Sequence, residues 1–211
     1  MKDEKTVLKE RCKYIGGVFL FFFWMLAAFM ALEIAAGIWL GYQPESDFVL
    51  TLSDTPSGLF GVVEFKGMTP EIFEAIKPHC FALDPGILNE TASQMPKYVF
   101  MAKYFTVAVG GSGGLALVFW FLGRVFRNIM RYETPFMKEN SRSIAGLGIA
   151  ISASILIGWN MFFFLLFIKG ISVEKFEWIN FAWFMPLLLF FCLSAVFEYG
   201  RVLQQESDET L

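Results

Sequence analysis

Residues Arg124–Ser143 read RVFRNIMRYETPFMKENSRS, the one interior stretch with five basic residues: Arg124, Arg127, Arg131, Lys138 and Arg142. An apolar run of about 20 residues or more lies on each side, enough to cross roughly 30 Å of hydrocarbon as a helix. Lys and Arg near the ends of such runs resist translocation, so this connector belongs on the cytoplasmic face. The remaining topology follows from that placement.

Of 211 residues, 56% are apolar and 18% aromatic, with 26 Phe. Soluble domains run nearer 45–50% apolar. The excess falls into four blocks, the pattern of a chain that crosses a membrane several times. The expected fold is an all-α integral membrane protein, a four-transmembrane-helix bundle with a small α+β extracytoplasmic cap between helices 1 and 2. A net charge of −3 argues against direct nucleic-acid binding through a general basic surface.

In chain order, residues 1–14 form a cytoplasmic N-terminus with Lys2, Lys5, Lys9, Arg11 and Lys13. Residues 15–41 form the first span, too long for the apolar core of a cleavable signal and therefore a retained helix. Residues 42–97 form the outer loop, where acids outnumber lysines. Within it, Phe48–Leu52 and Gly61–Phe65 alternate around SDTPSGLF and predict a β-hairpin. Thr69-Pro70-Glu71 predicts a helix start, closed by Pro78. The second span covers 98–123, the connector 124–143, the third span 144–168, an outer turn 169–177, the fourth span 178–199 and a cytoplasmic tail 200–211. Pro186 should kink the fourth span. Both termini are expected in the cytoplasm of a bacterial cell.

The second span holds GGSGG, Gly110–Gly114. Gly110 and Gly114 at small-xxx-small spacing predict close helix approach; a locally unwound, ligand-facing segment is the alternative.

Ionisable groups inside spans are costly and mark site candidates. Glu33 is the clearest, with Lys103 at comparable or shallower depth. A Glu33–Lys103 ion pair, a neutral Glu33, a proton- or ligand-binding Glu33 and one that snorkels to the interface all remain open. Asn160 in the third span is expected to hydrogen-bond a neighbouring helix. At the inner ends, Glu198 and Tyr199 are expected to meet Arg124 or Arg127, clasping tail to connector or forming a docking surface.

Cys12, Cys80 and Cys192 fall on different levels of this topology, so no intrachain disulfide is expected. His79, the sole histidine, sits beside Cys80, at most half of a zinc site. No metal, cofactor or enzymatic constellation is visible, and no enzyme is expected.

Arg131-Tyr132-Glu133-Thr134-Pro135-Phe136-Met137-Lys138-Glu139-Asn140 resembles the connector of the domain-of-unknown-function 2975 proteins, a basic residue, Gly turn, Pro-Phe, hydroxyl residue, then Glu-Asn. Phe197-Glu198-Tyr199-Gly200, Leu203-Gln204, Glu206 and Asp208–Leu211 resemble that family's close. Glu133, Met137 and Glu209 depart from its pattern, and Met137 leaves Asn140 or Ser141 to cap the third helix. The resemblance implies a bacterial membrane protein without established enzymatic activity, with a cytoplasmic partner such as a small helix-turn-helix regulator. It draws attention to Arg131, Pro135, Phe136, Glu139, Asn140, Gly200 and Gln204 as partner-contacting candidates. The expected function is a membrane-anchored sensor or regulatory partner. A small transporter, immunity or export component is the alternative, built as a homo-oligomer because four spans leave little room for a conduit.

Overall fold

The computed structural model describes residues 4–55, 58–74, 80–83, 90–132, 134–171 and 184–209. It is mostly helical, with one small sheet. Among the described residues, four helices are long and apolar enough to cross a membrane: Thr6–Tyr42, Pro96–Tyr132, Lys138–Gly158 and Met185–Glu209. His79, Pro78, Glu133, Thr210, Leu211 and the fourth run before Phe184 lie outside the described residues.

Helix α1, Glu4–Tyr42, merges the expected N-terminal segment with the first span. At 1.5 Å per residue its 39 residues reach about 58 Å, far beyond the hydrocarbon core. Nothing in LKERCKY breaks a helix, so the polar end continues the apolar one. Helix α4, Pro96–Val107, passes through a π-helical turn, Ala108–Gly113, into helix α5, Gly114–Tyr132. Helix α5 carries Arg124, Arg127 and Arg131 as extra helical turns and stops short of Pro135, whose ring disfavours helix in the preceding residue. The connector is therefore mostly helix. Helix α6, Lys138–Ile168, starts three residues after that proline.

Helix α6 ends on Gly170 at φ 73°, the left-handed conformation that Gly adopts without steric cost. There Gly170 N donates to Phe167 O (2.9 Å) and Ile171 N to Leu166 O (3.1 Å). Helix α7, Met185–Glu209, carries the tail as continuous helix. Pro186 is its second residue, so the expected kink gives way to a first-turn proline with no hydrogen bond to lose.

The sheet runs β1 (Phe48–Thr55), β2 (Gly58–Phe65) and β3 (Cys80–Leu83), all antiparallel, in the order β1-β2-β3. The expected hairpin is present and longer than its alternating core. Between β2 and β3, the helix begun at Thr69-Pro70 forms as α2, Glu71–Glu74. One more short helix, α3, Glu90–Ser93, precedes α4.

The chain divides into two compact units. One takes Ala28–Ser112 and Leu156–Ile179 and holds the sheet. Its register aligns Phe48 with Phe65 and Val63 with Phe81, setting these residues on one sheet face. Phe100 of α4, fully buried, meets that face with ring centroids 5.3 Å from Phe48 and 5.2 Å from Phe81. Each buried aromatic contributes about 1.5–3 kcal/mol through area removed from solvent. Lys97 donates to Gly41 O (2.8 Å) and Gln43 O (2.6 Å), setting its ammonium on the carbonyls that end α1.

The other unit takes Met1–Ala27, Gly113–Ile155 and Asn180–Leu211. Here glycines set the helix contacts. A Cβ on Gly16 would lie 3.1 Å from Phe126, and one on Gly123 3.1 Å from Leu20, so α1 and α5 pack antiparallel with the backbones close. Gly114 abuts Ser154 and Gly146 abuts Phe121 in the same way. Large apolar side chains face outward: Trp24 is 68% exposed, Leu189 66% and Phe21 65%. Lipid, unlike water, imposes no cost on such a surface.

Candidate functional site

Two groups of polar side chains stand out, one in each unit. Glu33 lies in the apolar stretch of α1, 9% exposed, and its Oε2 has no hydrogen-bond partner. Ser112, in the π-helical turn, lies near the carboxyl side chain. Tyr104 Oη donates to the backbone carbonyl of Glu33 at 2.8 Å. Gly37, one turn along α1, makes room for this. A Cβ there would stand 2.9 Å from Phe105 and 3.0 Å from Tyr104.

The expected Glu33–Lys103 ion pair does not form. Successive helical residues point roughly 100° apart, so Tyr104 and Lys103 cannot both face α1. Tyr104 takes that position, and the Lys103 ammonium sits 4.9 Å above the Phe162 ring, a cation–π contact. GGSGG does not unwind, though most of it leaves the α-helical pattern. Gly110–Gly113 lie in the π turn, an arrangement common at functional sites, and Gly114, the first residue of α5, approaches Ser154 closely. Asn160 also differs from expectation. Its Nδ2 donates to Leu156 O of its own helix at 3.0 Å, and its Oδ1 is buried without a partner.

The second group joins the connector to the tail. Thr134 Oγ1 donates to Gln204 Oε1 at 2.8 Å and accepts from Phe136 N at 3.2 Å. The Phe136 ring lies 5.6 Å from that of Phe197 and covers Gly200, where a Cβ would fall 2.5 Å from it. Asn140, fully buried, donates from Nδ2 to Pro135 O at 3.0 Å, tying the start of α6 to the bend before it. Neither Asn140 nor Ser141 caps that helix. Both lie within its first turn, after Lys138, and their own amides donate to Met137 O at 3.0 and 3.1 Å. Ser141 Oγ lies 2.8 Å from Ser194 Oγ, and Ser194 Oγ donates to Ser141 O at 2.9 Å. Glu139 has a buried Oε2 without a partner. Thr134, Pro135, Phe136, Gly200, Leu203 and Gln204 line an open cleft of about 510 Å³.

The clasp therefore uses other residues than the expected acid–base pairs. Glu198 accepts from Arg201 of its own helix, at 2.7 Å from Nη2 and 3.0 Å from Nε, rather than from Arg124 or Arg127. A partner one turn away needs no loop rearrangement, whereas one on another helix does. Arg201 also reaches Gln205 at 2.7 Å. Arg124 stacks on Trp120 (5.4 Å) and Arg131 on Tyr132 (5.5 Å). Tyr199 is 65% exposed.

Ser194, Thr134 and Phe197 in the clasp, with Tyr104 and Ser112 near Glu33, were not singled out by residue chemistry, and Ser141 was singled out only as a helix cap. Serines inside apolar runs, and a large–small match such as Phe136 with Gly200, were the available signals. Cys12, Cys80 and Cys192 are free. Among the described residues, no group of three or more His, Cys, Asp and Glu is placed to hold a metal ion. Comparisons with family models, with curated proteins and with solved structures found no match to this chain.

Proposed function

We propose that this chain is a membrane-anchored regulatory protein that holds and releases a cytoplasmic partner on its connector–tail surface. The single observation behind this reading is the Thr134–Gln204 and Phe136–Gly200 stitching, which joins segments some seventy residues apart into one surface with an open cleft. The basic excess of 1–14 and 124–143 supports a cytoplasmic position for that surface. The resemblance of both segments to the domain-of-unknown-function 2975 proteins makes a small helix-turn-helix regulator the partner class to try first. Release requires two states of the bundle with different affinity for the partner. An impermeant thiol reagent added to intact cells or inverted vesicles tests the topology. Cys80 should react from outside and Cys12 from inside; the reverse pattern removes the proposal. Deleting Gln204–Leu211, with insertion retained, should abolish co-purification of a small helix-turn-helix regulator; undiminished capture takes the tail out of the mechanism.

A second reading rests on Glu33. A nine-tenths buried carboxyl with a free oxygen beside a π turn is a binding group for a small transported species. Under that reading Glu33→Gln alters flux or resistance while leaving partner capture intact.

A further inference from the structure

We propose that the Glu33 carboxyl is a site at which the chain takes up and releases a single proton. A proton is then the small species of the second reading above, on which this inference rests. Glu33 is the only ionisable residue in the apolar run Ile15–Leu40, roughly 10 Å inside its outer end.

Helix pairing within this unit decides what faces the carboxyl. A Cβ on Gly41 would stand 4.0 Å from Met101, and one on Gly37 2.9 Å from Phe105. Helices α1 and α4 therefore run antiparallel, turn for turn, and Glu33 comes level with Val109 in the π-helical turn. Glu33, Ala36, Gly37 and Leu40 form one buried stripe of α1, which puts the carboxyl on the side of that turn. The turn, AVGGSG, is half glycine, and a Cβ on Gly111 would meet nothing within 4 Å. Its backbone has room to adjust when the carboxyl beside it changes charge.

Among the described residues, no side-chain cation neutralises this carboxyl. Along α1 from residue 28 and along α4, the other ionisable residues are Tyr42, Lys97, Tyr98, Lys103 and Tyr104, and residues 156–168 of α6 have none. Each is engaged elsewhere. Lys97 donates to Gly41 O and Gln43 O, Tyr98 to Leu165 O and Tyr104 to Glu33 O. Lys103 lies over the Phe162 ring, and Tyr42 is exposed. The buried Thr106 hydroxyl donates to Ala102 O of its own helix, which leaves Ser112 beside the carboxyl. An unpaired carboxylate in hydrocarbon is costly, and a proton removes its charge through one oxygen. Glu33 Oε2, buried and without a partner, is that oxygen. A metal ion would need several more oxygen ligands than this corner provides.

The test uses full-length protein in phosphatidylcholine nanodiscs and two readouts. Dicyclohexylcarbodiimide partitions into hydrocarbon and adds to a carboxyl only while it is protonated, leaving an N-acylurea that mass spectrometry locates. Labelling of Glu33 should fall about tenfold per pH unit above its midpoint, as for one titrating group. Lys103→Gln should leave that profile in place. Labelling indifferent to pH overturns the proposal, because the acid would then never exchange its proton. So does suppression by sodium at constant pH, which would report a metal-ion site, or a profile displaced by Lys103→Gln, which would report an ion pair. The infrared difference between wild type and Glu33→Gln needs no reagent to reach the site. It should show a carboxylic-acid carbonyl stretch that gives way to a carboxylate stretch as pH rises; a carboxylate at every pH also overturns the site. A titrating band with unaltered flux in Glu33→Gln would keep the proton site and remove only the transport reading.

Discussion

The connector–tail clasp and the surroundings of Glu33 differ in how far their polar groups are matched, although Glu139 Oε2 and Asn140 Oδ1 beside the clasp are also buried without a partner. In the clasp, hydroxyls and amides are matched across segments: Thr134 with Gln204, Ser141 with Ser194, Asn140 Nδ2 with the Pro135 carbonyl. Around Glu33, Tyr104 spends its hydroxyl on a backbone carbonyl, Lys103 turns to an aromatic ring, and one carboxyl oxygen has no partner. Matched groups hold a fold together. An unmatched buried group lowers stability and persists where something other than stability depends on it. The contrast marks Glu33 as the carboxyl whose burial the fold itself does least to compensate.

Several measurements can break or sharpen that contrast. The largest effect is expected from Gly37→Leu, which forces the Tyr104 and Phe105 rings off α1. Overpacking at such a contact costs about 3 kcal/mol, and a marked fall in the thermal midpoint of detergent-solubilised protein should report it. An unchanged midpoint would mean that the seam carrying Glu33 is not packed as described. Next, Glu33→Met should be neutral or stabilising by about 1 kcal/mol, since it replaces an unmatched polar group with an apolar one of similar length. A clear loss of stability would show that Glu33 has a structural partner, and the contrast would collapse.

In the clasp the sign reverses. Ser141→Ala should destabilise by roughly 0.5–1.5 kcal/mol, the range for hydrogen bonds between membrane helices. Combining it with Ser194→Ala should add less than the sum, because the two hydroxyls share their bonds. Additive losses would indicate independent partners. The smallest change in stability, about 0.5 kcal/mol or less, is expected for the exposed Thr134→Val. Its consequence should appear instead in partner capture, and a variant that captures as well as wild type would leave the clasp structural only.

Much of the architecture was legible beforehand because it depends on neighbours in sequence. Four apolar runs read as helices, and alternation at Phe48–Leu52 and Gly61–Phe65 read as paired strands. Strand β3 escaped notice, since Cys80–Leu83 is four residues between prolines and forms a strand only because β2 offers it an edge. The extent of α1, α5 and α7 was also hidden. Polar residues mark where a helix leaves hydrocarbon, and they do not end a helix. At the sites, Glu33 was recognisable from its charge in an apolar run, but its partner was not. That depended on which of two adjacent residues, Lys103 or Tyr104, faced α1.

Composition and the order of residues alone determined the helical character, the four membrane-length segments and the places where charge collects, because each is a sum over a local window. Only the tertiary structure decided the pairings: Arg201 and not Arg124 for Glu198, Gln204 for Thr134, and no cation for Glu33. Which side chains meet is set by the rotation of each helix about its own axis. That rotation answers to the packing of Gly16, Gly37, Gly123 and Gly200 against large neighbours, contacts that join residues far apart in the chain.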